Sequence, residues 1–256
     1  MPLDLRKPKA TFLKRWHDLS AFTGVAYHIG RSDRSVMYEL PPIEFPTGAQ
    51  MPQAFERERL LMLKRDFAFW TVGKVLRDMT EAFEQSLAPP FVYSLRREVS
   101  AGNLAKDKVL KLCKAFERSG LVGKAVHVRE HLGIDIPKIE QIDSLHRASD
   151  CLSQRSGVVE RRDCDEGCDY LELRWTKLIA YVVHADGREE MVPAGTAPPL
   201  NSKGVVRAEE GRQRAEIGRT VTLNGVILSE ALMTYVIAVG EFYNLCKAQL
   251  GDDVAL

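Results

Sequence analysis

Apolar residues recur at helical spacing through most of residues 54–160. Leu61, Ala68, Val72, Leu76, Met79, Phe83 and Leu87 keep to one face of "AFERERLLMLKRDFAFWTVGKVLRDMTEAFEQSLAPP". This predicts a long core helix that Pro89-Pro90 ends, because proline lacks an amide hydrogen and its ring crowds the preceding turn. A second helix is predicted in "NLAKDKVLKLCKAFERSG", where Leu104, Val109, Leu112, Cys113 and Phe116 cluster on one side before Ser119-Gly120. A third follows in "LVGKAVHVREHLG", with Leu121, Ala125, Val128 and Leu132 spaced 4, 3 and 4 apart. The fourth begins after Pro137; Ile139, Ile142, Leu145, Ser149 and Leu152 form one stripe, its buried face apart from Ser149. Four helices in about 100 residues, joined by short connections, predict a helical bundle.

After Gly157 the pattern changes. "YLELRWTKLIAYVVHADGREEMV" predicts two strands around an Asp-Gly turn. "PAGTAPPLNSKG" is expected to be a loop, and "TVTLNGVIL" a further strand pair or a turn. Ser229 is the expected N-cap of a last helix, in which Leu232, Val236, Val239, Tyr243, Cys246 and Leu250 repeat at spacings of 4, 3, 4, 3 and 4. That stripe suits packing along the bundle or pairing with a second copy. Residues 1–53 mix a basic start with the proline-rich "ELPPIEFPTGAQMP" and lack a long periodic segment, so they read as an arm or irregular layer. The expected fold class is mostly α (α+β). Its main domain spans 54–256, with a β insertion at about 169–228 and a C-terminal helix.

Composition narrows the function classes. With 256 residues and 45% apolar content the chain has material for an ordinary core. Its 36 Lys and Arg against 35 Asp and Glu give no overall field to draw in a polyanion or membrane surface. Charges interrupt the apolar segments before the roughly 20 residues of a membrane span, and "MPLDLRKPKATFLKRW" has no signal-like apolar stretch, so a soluble, cytoplasmic protein is expected. The five cysteines are an odd number and too few for a disulfide scaffold; reduced thiols are the expectation.

The fourth helix carries a polar seam beside its apolar stripe: Asp143, Arg147, Asp150 and Gln154, at spacings of 4, 3 and 4. Such a seam is either a solvated face, with Asp143 and Arg147 as an i,i+4 pair, or the lining of a cleft or subunit interface. Cys164 and Cys168 in "CDEGC", with His127 and His131, supply zinc-ligand residue types, but spacing does not unite the two pairs and no metal is expected. Arg6, Lys7, Lys9, Lys14 and Arg15, interleaved with Phe12 and Trp16, form one basic patch, and Arg155, Arg161 and Arg162 another. Convergence of the two would make a polyanion site. Neither a nucleotide-binding loop nor a nucleophile elbow appears, and no cofactor is expected.

The segment "RASDCLSQRSGVV", Arg147 to Val159, resembles the end of the core helix in HEPN domains (higher eukaryotes and prokaryotes nucleotide-binding). The resemblance runs from about residue 54 to 160. It implies a helical bundle, frequently homodimeric, and a setting in prokaryotic defence or stress response. Matched to the family pattern, Ser149 stands at the catalytic arginine, Asp150 at the following polar residue and Gln154 at the histidine. Glutamine does not titrate and serine carries no charge, whereas acid-base catalysis typically contributes about 100- to 10,000-fold. The resemblance therefore implies a non-catalytic or weakly active interaction module, with RNA or a partner protein as its target. Two alternatives stand beside it. One is a metal-independent endoribonuclease using His146, Arg147 or Arg155, and the other a ligand- or partner-binding bundle unrelated to HEPN.

Overall fold

The computed structural model describes residues 3–31, 57–184, 186–192, 203–251 and 254–255. Among them are six α-helices and one three-stranded antiparallel sheet, a mostly α (α+β) fold. In chain order the elements are β1 (Leu3–Asp4), α1 (Arg6–Arg31), α2 (Arg57–Ser100), α3 (Lys106–Arg118), α4 (Leu121–Leu132) and α5 (Ile139–Arg155). A 3-10 turn at Arg161–Asp163 precedes β2 (Tyr170–Val183), β3 (Glu189–Met191), β4 (Lys203–Glu216), α6 (Gly225–Leu250) and β5 (Val254–Ala255).

Three of these elements differ from the sequence-based expectation. Residues 6–31 are helical, not an irregular layer. Leu5, Phe12, Thr23 and Ala26 are buried and Trp16 and Leu19 pack against the core, which gives α1 a narrow stripe of partly small residues. Pro8 fits because the first N–H groups of a helix have no intrahelical partner. The rest of the expected arm, residues 32–53, lies outside the described residues.

Helix α2 passes through Pro89-Pro90 and continues to Ser100, a length of roughly 66 Å at helical rise. Pro90 leaves the Ser86 carbonyl without its i+4 amide, and the buried Tyr243 hydroxyl of α6 donates to that carbonyl at 3.1 Å. The third difference is β4, which lies outside the predicted strands. It pairs with β2 along its whole length, from Tyr170↔Glu216 to Val183↔Lys203.

Strand β2 is central, with β3 joined only at Tyr181–Val183. Its remaining edge is closed by helix hydroxyls: the Arg174 amide donates to Ser144 Oγ (2.9 Å) and the Thr176 amide to Thr234 Oγ1 (2.8 Å). An open strand edge is thereby satisfied without a further strand. Trp175 lies opposite Gly211, where a Cβ would come within 2.5 Å of the indole nitrogen, and that nitrogen donates to Glu230 of α6 at 2.7 Å.

Helix α6 starts at Gly225 with Asn224 as its N-cap, the Asn224 side chain accepting from the Ile227 amide at 2.9 Å. Ser229, the expected cap, instead donates back to the Gly225 carbonyl within the first turn. "TVTLNG" contributes no strand, only an isolated bridge from Thr220 to Val158. By length and composition α6 is the one described helix apolar enough to cross a membrane. It runs through the core, with Leu232, Tyr235, Val239, Phe242, Tyr243 and Cys246 all buried.

Candidate functional site

Helix α5 carries the residues singled out by the sequence. Ile142, Leu145, Ala148, Cys151 and Leu152 are buried and fix its orientation under α2 and β2. At its end Ser156 and Gly157 take left-handed backbone conformations, and the Gly157 amide returns to the Cys151 carbonyl at 3.0 Å. The glycine at this exit is explained by its φ of 81°, which side chains rarely adopt.

Ser149 is fully buried at the crossing of α5 with α2. The helices approach closely at Gly73: a Cβ there would lie 2.7 Å from the Ser149 carbonyl oxygen and 2.6 Å from the Ser153 amide nitrogen. Ser149 closes its own hydroxyl onto the His146 carbonyl (2.6 Å). Gln154, five residues on, is exposed. At 3.6 residues per turn five positions place two side chains about 140° apart, so the pair does not share a face. His146 is half-buried, with its Nδ1 lacking a hydrogen-bond partner.

Acids occupy the charged groups around α5. Asp150 pairs with Arg77 of α2, and Arg147 with Asp143 (3.3 Å) and Asp165 (2.7 Å). Arg155 pairs with the buried Asp163, whose other oxygen accepts from the Glu160 amide at 2.8 Å. Arg161 reaches Asp169 (2.6 Å) and Arg162 reaches Glu160 (2.8 Å). The second basic patch is therefore a set of ion pairs that shapes the chain between α5 and β2. Asp163 and Glu160 had offered no periodic signal, because the 3-10 turn that aims them is irregular.

The first half of the seam lines a cavity of about 460 Å³ between α4 and α5. Val122, Val126, Ile136 and Ile139 supply its apolar wall, with Asp143 and Arg147 on the rim. Arg129 pairs with Asp135 and Arg174 with Glu140 there, so the rim cations are neutralised as well. The second half of the seam behaves differently, since Asp150 is a tie to α2 and Gln154 meets solvent.

The zinc-type residues are not brought together. His127 and His131 pack against Phe91 at centroid distances of 6.0 and 5.6 Å, and His131 bonds Glu98 at 3.0 Å. Cys164 and Cys168 flank a turn before β2, and among the described residues no group of three metal-ligating side chains assembles. Burial pushes the Cys151 thiol up to about 11, which keeps it protonated at neutral pH and removes it as a nucleophile.

The two basic patches sit at different places along α2. Leu3 and Asp4, which precede the N-terminal patch, share a groove with Arg96 and Arg97, whereas Gly157 approaches Phe69. Positions 69 and 96 are roughly 40 Å apart at helical rise. Compared with known families, curated proteins and solved structures, the chain matches none.

Proposed function

We propose that this chain is a soluble, cytoplasmic, non-catalytic interaction module. In this reading a HEPN-like bundle has kept an architecture and lost a chemistry, and the partner is a second copy or another protein. The observation that carries it is the place of Ser149. The position matched to the family's catalytic arginine is fully buried where α2 and α5 touch, so no side chain there meets a phosphate. The arginines nearby support the same reading, because each already faces a carboxylate that a phosphate would have to displace.

The reading is tested by incubating purified protein with RNA in the presence of a metal chelator, alongside a light-scattering mass. The expected outcome is no cleavage above buffer and a mass above that of the monomer. Metal-independent cleavage that disappears in His146→Ala, Arg147→Ala or Arg155→Ala would overturn it in favour of the ribonuclease alternative. Metal-independent cleavage by homogeneous protein that survives all three substitutions would overturn the non-catalytic reading as well.

A further inference from the structure

Among the described residues charge is not evenly compensated. Around α5 cations and carboxylates alternate in pairs. The opposite half of α2 is different. There a groove of about 1030 Å³ runs between the last turns of α2, the start of α3 and β1. Arg96, Arg97 and Lys106 lie along it, against a single carboxylate, Asp4. Asp4 is already held by Arg6, through two side-chain hydrogen bonds of 2.9 Å, and its pKa is drawn down by that guanidinium. Among the described residues Arg97 reaches a backbone oxygen, that of Leu250 at 3.4 Å, and Arg96, Arg97 and Lys106 make no ion pair.

The floor between these cations is aliphatic, formed by Ala88, Val92, Val99 and Val109, with Tyr93 beside them. A groove of this size is at the upper end of small-molecule pockets and is long enough for an extended or helical segment. A single-stranded nucleic acid calls for a longer cationic track and aromatic platforms on which bases stack. Four aliphatic side chains bordered by cations that meet no carboxylate among the described residues fit a ligand with apolar groups on one side and carboxylates on the other.

We propose that the groove between α2, α3 and β1 binds an acidic amphipathic peptide segment of a partner protein. Its apolar side chains lie on Val92, Val99 and Val109. Its carboxylates meet Arg96, Arg97 and Lys106.

The test uses the full chain and fluorescence anisotropy with three probes: a short labelled peptide of leucine and glutamate in helical amphipathic order, the same peptide with lysine for glutamate, and a short single-stranded RNA. The acidic peptide is expected to saturate, with an affinity that falls as salt rises. Combined Arg96→Glu and Lys106→Glu is expected to weaken it by about tenfold or more. The exchange Arg96→Lys with Lys106→Arg is expected to retain it, and Lys177→Glu, on the exposed part of β2, to leave it unchanged. Circular dichroism checks that each variant is folded. The proposal is overturned if the acidic peptide does not saturate, if the basic peptide or the RNA binds as tightly, or if Lys177→Glu costs as much as the groove reversals. These outcomes bear on the groove alone, whereas RNA cleavage by the α5 residues bears on the proposed function.

Discussion

The Tyr243 hydroxyl donates a hydrogen bond to the Ser86 carbonyl, 3.1 Å away, at one of the two points in α2 where proline has removed the helical donor. A side chain from the last helix thus completes the backbone of the longest one. Both groups are buried, and a buried carbonyl without a partner costs about 1–3 kcal/mol. The bond replaces the backbone donor that Pro90 lacks.

Tyr243→Phe is accordingly expected to lower stability by about 1–3 kcal/mol, because it removes the donor and keeps the ring. Pro90→Ala restores an amide to the same carbonyl. In the double variant the cost of Tyr243→Phe is expected to shrink, which a double-mutant cycle by chemical denaturation measures directly. Strict additivity would refute the pairing.

Gly73→Ala sets two effects against each other. In an exposed helix the change gains about 1 kcal/mol. Here the new methyl would stand 2.6 Å from the Ser153 amide nitrogen and 2.7 Å from the Ser149 carbonyl, both backbone atoms of α5. Backbone does not yield as a flexible side chain does, so net destabilisation of about 1–3 kcal/mol is expected. Ser149→Arg drives a longer side chain into the same crossing; the expected outcome is loss of cooperative unfolding, with no gain of RNA cleavage.

The Arg155–Asp163 pair closes the segment that leaves α5. Asp163 is buried and Arg155 nearly so. Arg155→Ala leaves a buried carboxylate facing no cation, and a loss of about 3–5 kcal/mol is expected. Arg162→Ala removes only an exposed partner of Glu160 and is expected to cost less than about 1 kcal/mol. Thermal denaturation of the two variants side by side distinguishes a structural patch from a free basic one.

Glu172 gives the fold an acid-sensitive point. It is buried between two arginines; hydrogen bonding from Arg214, assisted by Arg174, holds its carboxyl below the ordinary glutamate value of 4.5. The folded state therefore binds fewer protons than the unfolded chain in this range. The stabilisation is present above pH 4.5 and is lost as the pH falls through that value toward the folded-state pKa. Glu172→Gln should be less stable than the parent at neutral pH, and the gap should close as the pH falls. A gap of constant size from neutral pH to pH 4 would contradict this.

The sequence by itself determined the elements whose apolar residues repeat in register with their own geometry. Helices α3, α4 and α5 and the hairpin of β2 with β3 stand where periodicity and turn residues put them. The apolar repeat of α6 was also legible, and it turned out to be the core stripe. The seam on α5 was legible as a pattern of charges, although not as the pairing of those charges.

What only the tertiary structure decided were features whose cause lies elsewhere in the chain. Strand β4 is exposed along most of its length and alternates only from Gly211 to Glu216; it exists because β2 offers fourteen residues of ladder. The carbonyl that Pro90 leaves open in α2 finds its donor in Tyr243, 157 residues away. Ser149 reads in sequence as a vacated catalytic position, and in space as the small residue that lets α5 lie against Gly73. The surplus of positive charge among the described residues beside β1 and α3 had no sequence signature, since Arg96, Arg97 and Lys106 become one surface only when two helices meet a strand. Periodicity reports what a segment needs to bury, whereas pairing, close approach and charge compensation depend on which segments come to face each other.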